Sequence, residues 1–217
     1  MDQLKDYISA IDNPAIFLEE TWGTIDFNFG KIEESHNVNN PNPCAMCGRC
    51  CKMQTPVVHL FDISNIARWI HMNKDDSTKN NMLEILESNL KKGSWKRKEM
   101  GIGNSCGFYS KDGCSVYPVR PFVCRCYSVT RGSGKRCGMK NKDGSQIVIT
   151  SSLVKNTVDF YDFCRQEFEK FLEDDHAMML LSSGVLSILK PDNKISPNLF
   201  FSYKRGGHID YSLYLDS

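Results

Sequence analysis

Hydrophobic positions recur at helical spacing in four stretches of the chain and at strand spacing in fewer. Ile63, Ile66, Ala67 and Ile70 follow Asp62 at intervals of three and four, which predicts a helix with Asp62 as its N-cap. Met82, Leu83, Ile85, Leu86 and Leu90 predict a second helix over about 80–92, with Gly93 placed to stop it. Val154, Val158, Tyr161, Phe168 and Phe171 form an apolar face running to about Glu173, and a further helix spans His176 to Lys190, before Pro191. Short β patterns occur at Val57-Val58-His59-Leu60 and at 146–150, and the tail over 199–214 has the pattern of a hairpin around Arg205-Gly206-Gly207-His208. The first forty residues offer one short helix and then mixed polar sequence, ending in an Asn- and Pro-rich run that marks a turn or linker.

These patterns give an α+β expectation: a small cysteine-rich domain organised by metal, with short strands and a helical C-terminal portion. Its divisions fall at 1–40, an acidic extension, at 41–142, the cysteine-cluster domain, and at 143–217, strand, helices and possible hairpin packed on that domain. Between Gly93 and about Lys142 no hydrophobic period persists, so order there needs another source, and a metal would supply it.

Composition sharpens this picture through cysteine. The 217 residues include ten cysteines, and the overall net charge is +1, which selects no partner class. The N-terminus lacks a basic region followed by an apolar one, so no secretory signal is visible, and the longest apolar runs fall far short of the roughly 20 residues a bilayer requires. The expectation is a cytoplasmic protein with no membrane association. In a reducing compartment, closely spaced cysteines point to metal or redox chemistry rather than to a disulfide framework. Charge is also uneven: residues 91–142 hold thirteen basic and two acidic residues, while residues 1–40 hold two basic and eight acidic ones.

The run Cys44-Ala45-Met46-Cys47-Gly48-Arg49-Cys50-Cys51 has the pattern CxxCxxCC. Two residues between thiolates let the chain turn back so that both sulfurs face one ion or cluster. Further cysteines follow at Cys106, Cys114, Cys124, Cys126 and Cys137, with Pro118 and Pro121 stiffening the stretch between Cys114 and Cys124. Gathered thiolates are anionic, so Arg49, Arg120 and Arg125 are the candidate residues facing the cofactor, and Lys52, Arg131, Lys135 and Arg136 can share that task. The same electrostatics accounts for the basic middle without nucleic acid, which is not favoured as a partner.

CxxCxxCC, an Asp-started helix from Asp62, and a Cys106, Cys114, Tyr117, Arg120-Pro121, Cys124-Arg125 block together resemble the zinc- or iron-chelating cysteine-cluster family of bacterial and archaeal proteins, over about residues 44–127. The resemblance implies metal binding at Cys44, Cys47, Cys50, Cys51, Cys106, Cys114 and Cys124. Flagellin lysine N-methylases are similar in this cysteine block, which raises a protein methylase using S-adenosylmethionine as one candidate activity, although they are longer proteins. Ferredoxin-like spacing and seven matched thiols, more than one tetrahedral zinc can use, weigh toward a 4Fe-4S cluster held by Cys44, Cys47, Cys50 and one downstream cysteine; two closed zinc sites are the alternative. The expected role is that of a redox or accessory and maturation factor for another protein, the zinc alternative being an interaction module. Radical enzymes of S-adenosylmethionine usually use CxxxCxxC, a string absent from this chain. Cys164 lies beside the apolar face of its helix as a small buried residue, and His59 is placed near the cluster on a strand.

Overall fold

A computed structural model of the chain describes residues 2–37, 51, 56–91, 106–126, 152–172 and 178–190. The N-terminal segment supplies two helices, α1 (Asp2–Ser9) and α2 (Pro14–Asn37). Asn13 starts α2: its side-chain oxygen accepts from the backbone N–H of Ala15 at 2.9 Å and of Ile16 at 3.1 Å, with Pro14 in the first helical position. The buried side of α2 carries Phe17, Leu18, Thr21, Trp22, Ile25, Phe29 and Ile32, and the Thr21 hydroxyl is satisfied by the Phe17 carbonyl at 2.6 Å. The stretch expected as an acidic extension thus contributes large side chains to the main core.

After β1 (Val57–His59) comes α3 (Leu60–Asn73), buried from Leu60 to Ala67 on every face. Its helix starts before the position expected: His59 is the N-cap, and Asp62 sits in the first turn with its carboxylate reaching back to the His59 backbone N–H. α4 (Asp76–Lys91) is capped by Asp75, whose two oxygens accept from the Thr78 N–H and hydroxyl, both at 2.8 Å. Those bonds hold the Asp75 carboxyl below the usual carboxylate range.

A two-residue hairpin follows, β2 (Tyr109–Ser110) against β3 (Gly113–Cys114), and then a 3-10 turn over Tyr117–Val119 and the short helix α5 (Phe122–Cys126). Gly113 has φ 111°, a conformation L side chains rarely adopt, so glycine is required there. α6 (Ser152–Glu169) buries Val154, Thr157, Phe160, Tyr161, Cys164 and Phe168, and continues into a 3-10 turn over Lys170–Leu172. The helix expected from His176 differs: Met178–Leu180 form β4, antiparallel to β1 with Val57 opposite Leu180, and α7 (Leu181–Leu189) starts only then. The open edge of β1 captures those residues as a strand, and Leu181 N–H donates to Pro56 O at 3.1 Å.

The described residues are therefore mostly helical, with short strands in two separate pairs. The core forms where α2, α3 and α6 meet. Trp22 stacks on Phe61 at 5.0 Å between ring centroids, Phe17 lies 5.9 Å from Phe168, and Phe122 stacks on Tyr161 at 3.8 Å. The same cluster extends to Cys106, Phe108, Val116 and Val119, so the cysteine-bearing middle is joined to it by apolar contacts. Among the described residues no helix is long and apolar enough to cross a membrane. The expected strand at 146–150 and hairpin at 199–214 lie outside the described residues.

Candidate metal centre

Two cysteines more than fifty residues apart in sequence, Cys51 and Cys106, are joined in the fold through their backbones. The backbone N–H of Cys106 donates to the carbonyl of Cys51 at 2.6 Å, tying the end of the CxxCxxCC run to the start of the downstream block. From Cys106 the chain turns immediately, its carbonyl accepting from Tyr109 N–H at 3.0 Å, and the β2–β3 register sets Tyr109 opposite Cys114. The Ser115 N–H and hydroxyl both donate to the Phe108 carbonyl, at 2.9 and 3.2 Å, which closes the hairpin. Cys51, Cys106 and Cys114 are thereby carried on one tightly bonded substructure, Cys106 buried and the other two half-buried.

Cys124 arrives by a different route. Pro121 ends the 3-10 turn, and its carbonyl accepts from the N–H groups of Cys124 at 2.9 Å and Arg125 at 3.1 Å, forming the single turn of α5. The two arginines flanking this segment are buried, at 8% exposure for Arg120 and 5% for Arg125, which is unusual for guanidinium groups and demands polar partners. Arg120 donates to the Tyr117 carbonyl at 3.1 Å and lies 4.0 Å over the Tyr117 ring. Arg125 donates through Nε to the Arg120 carbonyl at 3.0 Å and through Nη2 to the Pro118 carbonyl at 2.7 Å, and pairs with Asp26 of α2 at 2.7 Å. Burial lifts the Asp26 carboxyl, and the Arg125 charge opposes that lift. Both arginines thus fold the Tyr117–Arg125 loop on itself, and the Arg125 charge is met by Asp26.

On the other side of α5 stands Asp62. Its carboxylate is buried and accepts from the Phe122 N–H at 2.7 Å and from the Tyr161 hydroxyl at 2.6 Å. Burial pushes the Asp62 carboxyl up to about 6 against these bonds, and both burial and the Asp62 charge push the Tyr161 hydroxyl well above its ordinary value. Burial, with Asp62 nearby, raises the Cys126 thiol to about 12. Cys164 is a fully buried free thiol on α6, its pKa raised mainly by desolvation, in keeping with a small apolar side chain. His59 stands at the junction of β1 and α3.

Cys44, Cys47, Cys50, Arg49 and Cys137 lie outside the described residues. Among the described residues no group of three or more His, Cys, Asp and Glu side chains is arranged to hold a metal ion. The chemistry of the donors fits a thiophilic centre: cysteines stand at both ends of the Cys51–Cys106 backbone link, and a further cysteine, Cys124, lies in the segment that carries Arg120 and Arg125. Asp62, Tyr161 and Asp26 are the residues whose connecting role the sequence pattern did not reveal. The readable signal was a carboxylate at position 62 within the continuous apolar run Leu60-Phe61-Asp62-Ile63, where a solvent-facing residue has no place.

Comparison with known families matches residues 43–150 to the model CxxCxxCC, a putative zinc- or iron-chelating domain. No curated protein and no solved structure matches the chain.

Proposed function

Since the chain, through residues 43–150, belongs to the CxxCxxCC family of zinc- or iron-chelating domains, we propose that it binds a 4Fe-4S cluster and serves as a cytoplasmic redox or accessory factor for a partner protein. The observation that supports this reading is the Cys106 N–H to Cys51 carbonyl bond, because it ties the last residue of the CxxCxxCC run to the first of the downstream cysteines. Cys44, Cys47 and Cys50 would hold the cluster together with one cysteine of the Cys106, Cys114 and Cys124 group, and Cys51, adjacent to Cys50, would take a separate role. Bound there, a cluster supplies one-electron redox chemistry.

The chain's own contribution is electrostatic and steric. Arg120 and Arg125, buried in the segment that carries Cys124, would offset part of the negative charge of a cysteine-ligated centre, Arg125 sharing its charge with Asp26. Phe108, Val116 and Val119 line the same block with apolar surface and limit water beside it.

The test is anaerobic purification followed by assay of iron, acid-labile sulfide and zinc, with absorbance followed during reduction. The expected result is a brown protein with iron and sulfide in equal amounts and a reversible bleaching on one-electron reduction. A colourless protein with stoichiometric zinc and neither iron nor sulfide would replace the cluster by a structural zinc site and the redox role by protein binding.

A further inference from the structure

α5 is one turn long, and five residues cannot hold a helical conformation by themselves. Its placement must come from outside. Two anchors bracket Cys124. On one side, Phe122 is held through its backbone N–H by Asp62 at 2.7 Å and through its ring by Tyr161, stacked at 3.8 Å with an interplanar angle of 10°. On the other, Arg125 pairs with Asp26 at 2.7 Å and lies over Trp22 and Phe29, with its guanidinium carbon 5.7 and 5.6 Å from the two ring centroids. Asp62 also accepts from the Tyr161 hydroxyl, so one carboxylate joins α3, α5 and α6.

A carboxylate in that position is a poor device for stability alone. It is desolvated, and a well-packed apolar side chain would avoid the penalty of burying charge. What a carboxylate provides and an apolar group cannot is direction: beyond the His59 N–H of its own first turn, its two oxygens fix the Phe122 backbone N–H and the Tyr161 phenol in a set geometry. The backbone N–H so fixed belongs to the residue two positions before Cys124.

We propose that Asp62, acting with Tyr161, is a positioning residue for Cys124, setting where this thiol stands relative to the Cys51–Cys106 junction and so tuning the affinity of the metal centre. Tyr161 lies beyond the matched residues 43–150, so α6 belongs to the working metal domain although it carries none of that family's cysteines. The inference rests on the reading of Cys124 as a ligand.

The experiment titrates reduced, metal-free full-length protein with Co2+, as a spectroscopic probe of thiolate ligation, and with Zn2+ in competition, for the parent chain, Cys124→Ser, Asp62→Asn, Tyr161→Phe and Leu86→Ala. Leu86 is a buried residue of α4, an element without cysteines, and serves as a core defect that leaves α5 alone. The expected result is that Asp62→Asn lowers the affinity at least about tenfold and alters the thiolate-to-Co2+ charge-transfer band, that Tyr161→Phe does the same to a smaller degree, and that Leu86→Ala leaves band and affinity as in the parent. If Cys124→Ser weakens binding while Asp62→Asn and Tyr161→Phe match the parent, the positioning role is overturned and the ligand assignment stands. If Leu86→Ala shifts affinity and band as much as Asp62→Asn does, the effect is general loosening and the positioning role is likewise overturned. A parent chain that binds no Co2+, or a Cys124→Ser chain indistinguishable from it, removes the ligand assignment and the inference with it. Should Asp62→Asn fail to fold, Tyr161→Phe, which removes one hydroxyl and keeps the stacked ring, decides alone.

Discussion

Asp62 makes the stability of the protein depend on pH in the direction opposite to that of most carboxylates. Its pKa is raised from 3.8 to about 6 in the folded chain, so between those values the native state holds a proton that the unfolded state has lost. Stability from this group is therefore greatest below about pH 4, falls as pH rises through 6, and the loss is complete near neutrality. A shift of about two units corresponds to about 3 kcal/mol. The Tyr161 hydroxyl and the Cys126 thiol beside it are both raised and titrate well above this window, and Asp26, whose carboxyl is also lifted, is the same in parent and variant. Urea unfolding of metal-free, reduced protein from pH 4 to pH 7 is expected to show Asp62→Asn gaining on the parent by up to about 3 kcal/mol across that range. A constant difference between the two would mean that the carboxyl titrates normally.

At the scale of elements, α2 shows how a long helix hides in a sequence. Its apolar spacing over 17, 18, 22, 25, 29 and 32 is regular, but Gly23, Gly30, Thr21 and Thr24 lower its intrinsic propensity. Packing of Phe17 against α3, Trp22 against α6 and Phe29 against α5 outweighs that local weakness. Neither glycine is needed for space, since a Cβ at either position would meet nothing within 4 Å. Gly23→Ala and Gly30→Ala are each expected to stabilise the protein by about 0.5–1 kcal/mol, read as a higher denaturation midpoint with unchanged slope. Elsewhere the legible elements were those whose stripe faces one core: α4 and α6 lie close to where periodicity sets them. α3 begins earlier than the pattern predicts because Asp62 resembles a cap, and β4 stands where the local pattern predicts helix because strand character at Met178–Leu180 comes from its distant partner Val57–His59 and not from the local sequence.

For the molecule as a whole, the part of the expected convergence of early and late cysteines that falls within the described residues is the backbone link between Cys51 and Cys106, which joins chain stretches that spacing and composition set toward each other. The frame around them was not legible in the sequence, because it consists of single long-range bonds, Asp62 to Phe122, Asp62 to Tyr161 and Arg125 to Asp26, which leave no periodic trace. The apolar cluster runs without interruption from Ile8 through α3 to Val185, Leu186 and Ile188, and takes in Phe108, Val116, Val119 and Phe122 on the way. Metal removal under reducing conditions is accordingly expected to leave most of the far-ultraviolet helical signal and a cooperative thermal transition, unlike small zinc modules that unfold without their ion. Collapse of the helical signal on chelation would show that the centre, and not this cluster, holds the molecule together.

The pairing of Val57–His59 with Met178–Leu180 carries a consequence for biosynthesis. A ribosome releases the cysteines from 44 to 124 well before it releases Tyr161 and β4, so the nascent thiols emerge with neither the phenol on Asp62 nor the strand beside β1 yet in existence. Until translation has passed residue 180, anything that delivers metal meets an unfinished cradle.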